Sequence, residues 1–378
     1  MSALARYFHL MGKQVEGYDR ASSVVTQGLE NLGIKVFYEL NPERIRQQQL
    51  VVFTPAIKGD NAERAAAEEA SIPMYKRSQV LGQIASKYKT IAVAGTHGKT
   101  TTSTMLTHVL REAGLDVTAF LGGISLNLKS NFVFGQSEWL VVEADEYDRS
   151  FLTLHPTWGI ITSLDADHLD IYGSEEEMKA TYRAFAHQAD GVMVEEGVKD
   201  FDWQKEVESY GPHSSYNYQN LRAKGLQTVF DNEHASTSIK DISLPMPGLH
   251  NVMNMSVALS LGLRLGLDAE KLKEGVESFK GIYRRFEVKW HSPNLTFVDD
   301  YAHHPSEIQA VIDTSRHLFP NRQLVVVFQP HLFTRTRDFM EGFAEELSKA
   351  DSTLLLPIYP AREKPIEGIT SQALFERM

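Results

Sequence analysis

The chain has 378 residues, of which 42% are hydrophobic and 23% charged, a balance that excludes a disordered tail and fits two or three globular domains. Lys and Arg total 38 against 49 Asp and Glu, a net charge of −11, which argues against a general nucleic-acid binder. With no cysteine, disulfides, thiolate catalysis and Cys-based zinc sites are excluded outright.

No run approaches the roughly 20 apolar residues that a membrane helix requires, and Arg6, His9 and Lys13 spoil the opening as a secretory signal. A cytoplasmic protein without membrane insertion is expected. The first region, residues 1–88, alternates helix and strand patterns. A short amphipathic helix around Leu4–Met11 is followed by VEGYD, a helical stretch to Leu32, the strand IKVFY, and the apolar run LVVFTPAI of a buried parallel strand. A doubly wound nucleotide-binding unit normally opens with a strand and a glycine-rich turn. This chain opens in a helix, so the expectation is that its natural start lies upstream of Met1. Asp19 ends the VEGYD strand, where such folds hold a ribose or base edge.

The second region, residues 89–281, opens with the strand TIAVA, a glycine-containing loop, and a helix from Thr100 to about Ala113. Further strands are WLVVEA, WGIITSL and GVMVE. Ser174 and Glu177 have capping-box spacing at the start of a helix. Residues 212–247 read as a small polar β excursion, and a helix covers about 251–265. The third region, residues 282–378, alternates TFVDDYA, a helix after Pro305, LVVVFQP, a helix about 338–349, and STLLLPIY. Strict alternation predicts a doubly wound domain that stops short of its full strand set. An α/β protein lacking a piece at each end is the resulting expectation, and such a chain should be less active than an extended parent.

AVAGTHGKTTT, residues 92–102, carries the clearest chemistry. A loop between strand and helix presents backbone N–H groups and a helix N-terminus to phosphate oxygens. Gly95, Thr96, His97, Gly98, Lys99, Thr100 and Thr101 form the predicted cradle. Lys99 would reach the β- and γ-phosphates, and the Thr100 hydroxyl would hold Mg²⁺. The general pattern wants Gly five residues before Gly98, where Val93 stands. The shorter form GTHGKT is therefore diagnostic.

That loop resembles the ATP loop of the Mur ligase family, and motifs in the same order extend the resemblance over nearly the whole chain. VVEADEYD resembles the family's acidic strand end, which implies Glu143 as an Mg²⁺ ligand. LDADHLDIYG resembles its histidine segment, which implies His168 at a second metal position. Oxygen ligands with one imidazole suit Mg²⁺ or Mn²⁺. Several relatives carry a carbamylated lysine on the following helix, at the position of Tyr182 here, with Lys179 one turn earlier. The branch that adds L-alanine typically lacks that lysine.

PGLHNVMN resembles the motif that implies His250, Asn251 and Asn254 beside ATP. GIYRRFE implies Arg285 near the γ-phosphate, offsetting charge during phosphoryl transfer. DDYAHHP implies Asp300 toward the nucleotide, with Tyr301 and His303 lining an amino-acid pocket. FQPHLFTRTRDF implies His331 and Arg335 as contacts to the amino acid's carboxylate, a good match for a bidentate guanidinium. Leu332 stands where many relatives have a second Arg. In the first region, Thr54, Arg77 and the outward-facing His97 resemble positions near a UDP-sugar.

The resemblance implies an α/β, three-domain architecture. It comprises a Rossmann-like UDP-binding domain (1–88), a central P-loop ATPase domain (89–281) and a Rossmann-like C-terminal domain (282–378). It implies ATP and Mg²⁺ as cofactors and UDP-N-acetylmuramate and L-alanine as partners, joined through an acyl phosphate. Two alternatives stay open. One is a recycling ligase that attaches a whole tripeptide to the same sugar. The other is a nucleotide-binding fragment without turnover.

Overall fold

The structure is a computed structural model that describes every residue except Ala56, Lys58, 166–171, Gly173, Ala235, Ser236 and Arg362, and the side chains of Tyr147 and Asp148. It divides into two compact units. One comprises Met1–Arg222, Val229–Pro245 and Leu249–Lys280; the other comprises Ala223–Thr228, Met246–Gly248 and Gly281–Met378.

The first unit starts with helix α1 (Ser2–Leu10), which buries Leu4 and Tyr7 one turn apart on a single face. Strand β1 (Glu16–Tyr18) pairs in parallel with β2 (Lys35–Phe37), and helix α2 (Val24–Glu30) between them is capped by Ser23 and Thr26. After the short α3 (Pro42–Ile45), strand β3 (Val51–Phe53) pairs in parallel with β4 (Met74–Lys76) across α4 (Ala62–Glu69). The two pairs form separate sheets rather than one continuous one. Helix α5 (Arg77–Ala85) follows β4 and buries Val80, Leu81 and Ile84.

The central sheet grows from β5 (Lys89–Ala94), whose residues are buried from Thr90 onward. A strand buried on both faces belongs in the middle of a parallel sheet. Here β5 lies between β8 (Trp139–Glu143) and β9 (Trp158–Ile161), parallel to both. Beyond β8 come β6 (Thr118–Ser125) and the antiparallel β7 (Ser130–Val133). Beyond β9 lie β10 (Gly191–Glu195), β11 (Glu208–Tyr210), β12 (Tyr216–Lys224), β13 (Gln227–His234) and β14 (Thr237–Leu244). Three parallel carboxyl ends, those of β5, β8 and β9, therefore open side by side at one rim.

Helices cover the sheet. Helix α6 (Lys99–Glu112) follows β5 and is buried along most of its length. Helix α7 (Glu175–Gln188) is capped by Ser174, whose hydroxyl accepts from the Glu177 N–H at 3.2 Å, as the sequence spacing predicts. Helices α8 (Leu249–Arg264) and α9 (Ala269–Glu277) complete the unit. Its core includes Phe151, Tyr182 and Phe185; the rings of Phe151 and Phe185 stack at 5.0 Å, and Tyr182 meets Phe151 edge-on at 5.2 Å.

In the second unit, β15 (Glu287–His291) and β16 (Thr296–Asp299) form an antiparallel pair with a bulge. Strands β17 (Val325–Phe328) and β18 (Ser352–Leu355) form a parallel pair. Helix α10 (Pro305–Leu318) starts with Pro at its first position and His304 as cap. Helices α11 (Phe333–Asp338), α12 (Met340–Leu347) and α13 (Ser371–Phe375) follow. Ile308, Ile312, Phe328, Phe343 and Leu347 make the core of this unit.

Two expectations change here. The strict alternation read for the third region puts its three strands in one sheet, whereas β16 instead closes on β15. The helix expected over about 338–349 is present as α12, but a separate short helix outside the expected elements, α11, precedes it and meets it at Phe339. No helix among the described residues is long and apolar enough to cross a membrane.

Phe185 is fully buried against Phe151. Phe185→Ala should cost about 3–5 kcal/mol of unfolding free energy through lost burial and the cavity left behind. Chemical denaturation checks this, and a loss below about 1 kcal/mol would contradict the packing described.

Candidate active site

The loop between β5 and α6 is shaped by two glycines. Gly95 has φ +133° and Gly98 has φ +80°, both costly for a side-chain-bearing residue. At Gly95 a Cβ would lie 2.2 Å from the Thr162 Oγ1. At Gly98 a Cβ would lie 3.2 Å from the Asn254 Oδ1, so α8 closes tightly over the loop. Residues just past β9 also hold the loop. The Thr162 hydroxyl donates to the Ala94 carbonyl at 3.1 Å and also to the His97 carbonyl. The Ser163 Oγ accepts from the His97 N–H at 2.8 Å and lies 2.8 Å from the Thr96 hydroxyl. The Asp165 N–H donates to the Thr96 hydroxyl at 3.1 Å, and the His97 Nε2 lies 3.7 Å from the Asp165 Oδ2.

Lys99 opens α6. Its Nζ donates to the Gly95 carbonyl at 2.6 Å, the Thr96 carbonyl at 3.2 Å and the Glu146 Oε1 at 2.8 Å. Sequence reasoning missed Glu146, which is only 2% exposed. Burial pushes its carboxyl pKa up, and the Lys99 ammonium pulls it back. The backbone carbonyl of Glu146 accepts from the buried Tyr172 hydroxyl at 2.7 Å, which fixes this corner of the chain.

Glu143 ends β8 opposite Val93 of β5. Its carboxylate accepts from the Gly122 N–H at 2.9 Å, and the nearby Thr100 hydroxyl favours its charged form. A Cβ at Gly122 would lie 2.2 Å from the Glu143 Oε2, so glycine is required there for the carboxylate to sit where it does. Burial raises the Glu143 pKa, opposed by Lys99 and Thr100 and reinforced by Asp145. Thr100 and Glu143 thus bring two hard oxygen donors together. That set fits Mg²⁺, which takes one or two protein oxygens and completes its shell with water and phosphate. His168 lies outside the described residues.

Tyr182, at the position where relatives carry a modified lysine, is fully buried in the aromatic core, and Lys179 pairs with Glu175 at 2.7 Å. In α8, Asn251 and Asn254 are buried and His250 is exposed on the first turn. Thr101 is buried in the first turn of α6.

Of the residues read as sugar contacts, Arg77 is drawn into the site. Its guanidinium lies 3.0 Å from the Asp145 Oδ2, and together with Ser78, Glu143, Asp145 and Ser150 it lines a small crevice. Asp19 is exposed just past β1, with its N–H on the Phe37 carbonyl. Thr54 follows β3 and accepts from the Ile57 N–H in a turn.

The candidates of the second unit form their own group. Glu307, missed in the sequence, joins two of them: the Arg285 Nη1 lies 3.5 Å from its Oε1, and the His303 N–H donates to its Oε2 at 2.9 Å. The His303 Nδ1 lies 2.8 Å from the Tyr301 carbonyl, and burial lowers the His303 pKa. Tyr301 is exposed, with the Arg284 guanidinium 5.0 Å from its ring centroid. Both Asp300 oxygens accept backbone N–H groups, from Phe286 at 2.6 Å and Ala302 at 2.7 Å, so this carboxylate pins its own loop. His331 stacks on Tyr359 at 5.5 Å. Leu332 has φ +73°, a strained value for a branched side chain, where α11 begins; Arg335 is in that helix.

Three family models account for the chain in succession: "Mur ligase family, catalytic domain" over residues 1–89, "Mur ligase middle domain" over 93–262, and "Mur ligase, glutamate ligase domain" over 284–378. The UDP-N-acetylmuramate–L-alanine ligases of Flavobacterium johnsoniae and Christiangramia forsetii are each 44% identical, across 100% of this chain and 85% of theirs. Among solved structures, UDP-N-acetylmuramate-alanine ligase MurC from Thermotoga maritima has a TM-score of 0.85 at 30% identity, covering 95% of this chain and 83% of its own. A murein peptide ligase from Psychrobacter arcticus has a TM-score of 0.73 at 23% identity, covering 94% of this chain and 82% of its own, a likeness of fold. Motif order, loop geometry and whole-chain similarity converge, and the chain belongs to the Mur ligase family.

Proposed function

We propose that this protein joins L-alanine to the carboxylate of UDP-N-acetylmuramate at the expense of ATP, a step in peptidoglycan precursor synthesis. The observation that carries the reading is the loop at 95–100, with Lys99, Thr100 and Glu143 converging where three parallel strands end. The names of the relatives at 44% identity supply the substrates. The division into a UDP-sugar domain (1–88), an ATP domain (89–281) and an amino-acid domain (282–378) belongs to the same proposal. A cytoplasmic setting follows from the use of ATP and a nucleotide sugar.

A carboxylate and an amine do not condense unaided in water. In the first step a substrate carboxylate oxygen attacks the γ-phosphorus of ATP, the bond to the β-phosphate oxygen breaks, and ADP leaves. The loop N–H groups and Lys99 hold the phosphate oxygens and offset their charge as it redistributes. Mg²⁺, when bound by Thr100 and Glu143, supplies further neutralisation of those oxygens. In the second step the alanine amine attacks the acyl carbon, and the tetrahedral intermediate expels inorganic phosphate. Asn254, packed against Gly98, and Asn251 on the same helix are assigned as nucleotide contacts. Arg285, Tyr301, His303, His331 and Arg335 are assigned to the amino acid and the transferred phosphate, and Arg77 and His97 to the sugar nucleotide. His168 is kept as a second metal ligand on the strength of the motif alone.

Three outcomes follow. ADP formation that depends on UDP-N-acetylmuramate should be stimulated by L-alanine and not by the tripeptide; stimulation by the tripeptide alone would assign the recycling reaction instead. Lys99→Ala should lower kcat by about 10²–10³, read as phosphate release, and a change under tenfold would remove Lys99 from the phosphate site. Gly122→Ala should displace the Glu143 carboxylate, so the Mg²⁺ concentration giving half-maximal rate should rise by about tenfold while added Mg²⁺ restores part of the rate. An unchanged Mg²⁺ dependence would count against Glu143 as a ligand.

A further inference from the structure

Lys99 has an ammonium with three N–H donors, and all three are occupied: two by carbonyls of its own loop and one by Glu146. The ion pair is enclosed, with side-chain exposures of 14% for Lys99 and 3% for Glu146. A buried ammonium left without a counter-charge is costly, so some anion has to face Lys99 whether or not nucleotide is present. Glu146 is built to be that anion. Its backbone carbonyl is tied to the Tyr172 hydroxyl, and it begins the 3-10 turn Tyr147–Thr153 right after the strand end that carries Glu143. A phosphate oxygen that reaches Lys99 has to take a donor from one of these three partners. The two carbonyls belong to the loop, whose shape Thr162 and Ser163 fix. The carboxylate is the one partner carried on a side chain rather than on the loop backbone.

We propose that Glu146 is a positioning residue for Lys99, the resident anion that holds the ammonium at the loop in the absence of nucleotide and that a nucleotide phosphate displaces. The ammonium is thereby aimed and paired before substrate arrives, and affinity for nucleotide is reduced by the competition. This rests on the loop at 95–100 being the polyphosphate site.

Calorimetric titration of the full chain with ADP and Mg²⁺ at fixed salt tests it. Glu146→Gln keeps the shape and an acceptor but removes the charge, so it should bind ADP about three- to tenfold more tightly than the unmodified protein. A variant that merely damages the loop would lose affinity rather than gain it. Equal or weaker binding by Glu146→Gln overturns the proposal. Should Glu146→Gln fail to fold, as judged by its thermal melt, Glu146→Asp decides. Its carboxylate is drawn back by one methylene, and it should bind more tightly than the unmodified protein, with equal or weaker binding overturning the proposal. Lys99→Ala serves as the separate control. If it leaves ADP affinity unchanged, the phosphate-loop reading itself fails, an outcome distinct from an unchanged Glu146 variant beside a weakened Lys99 variant.

Discussion

The site depends on how a short glycine loop is prevented from collapsing. A loop with two left-handed glycines has no preference of its own for the one conformation that starts α6 at Lys99. Here that conformation is imposed from the neighbouring strand. Thr162 and Ser163, just beyond β9, tie down the Ala94 and His97 carbonyls, the His97 N–H and the Thr96 hydroxyl. Asn254 also packs over Gly98. With the loop so clamped, α6 must start at Lys99, and Thr100 must fall beside Glu143 of the adjacent strand. Parallel pairing of β5 with both β8 and β9 is what makes the clamp and the acid arrive at the same rim.

Charge explains why this rim suits a polyphosphate accompanied by a cation. Glu143, Asp145 and Glu146 stand within four consecutive residues, facing one ammonium from Lys99 and one guanidinium from Arg77. Burial drives the pKa of Glu143 and of Glu146 upward and the Lys99 ammonium opposes it at both, so further positive charge at this rim favours their ionised forms. A polyphosphate entering alone would add to that excess. One entering with Mg²⁺ would relieve it, and Glu143 is positioned beside Thr100 to share the ion.

Much of this was legible before any coordinates. The strands at 90–94, 139–143, 158–161 and 191–195 are nearly continuous apolar runs, as a buried parallel sheet requires, and the loop at 95–100 sits between strand and helix as its residue types require. What stayed hidden is tertiary. Gly122 lies in LGG, which reads as a turn and gives no hint of strand β6 or of a carboxylate 21 residues away in sequence. Thr162 and Ser163 fall within the expected strand WGIITSL, whereas β9 ends at Ile161 and frees them to hold the loop. Glu146 sits in an acidic run where one side chain could not be told from the next, and its partner lies 47 residues earlier. Glu307 is hidden in the first turn of α10, where an acid is expected as a helix-dipole partner, yet it also joins Arg285 to His303. Asp300 illustrates the converse: the motif drew attention to its carboxylate, and both oxygens hold backbone N–H groups.

The account's central claim is that a triphosphate lies on the 95–100 loop with its metal shared by Thr100 and Glu143. A crystal grown with a non-hydrolysable ATP analogue and Mn²⁺, recorded with anomalous scattering, tests this most directly. The account predicts an anomalous peak within coordination distance of the Thr100 hydroxyl and a Glu143 oxygen, with phosphate oxygens on the loop N–H groups. A nucleotide bound elsewhere, or a metal peak away from Glu143, would contradict it.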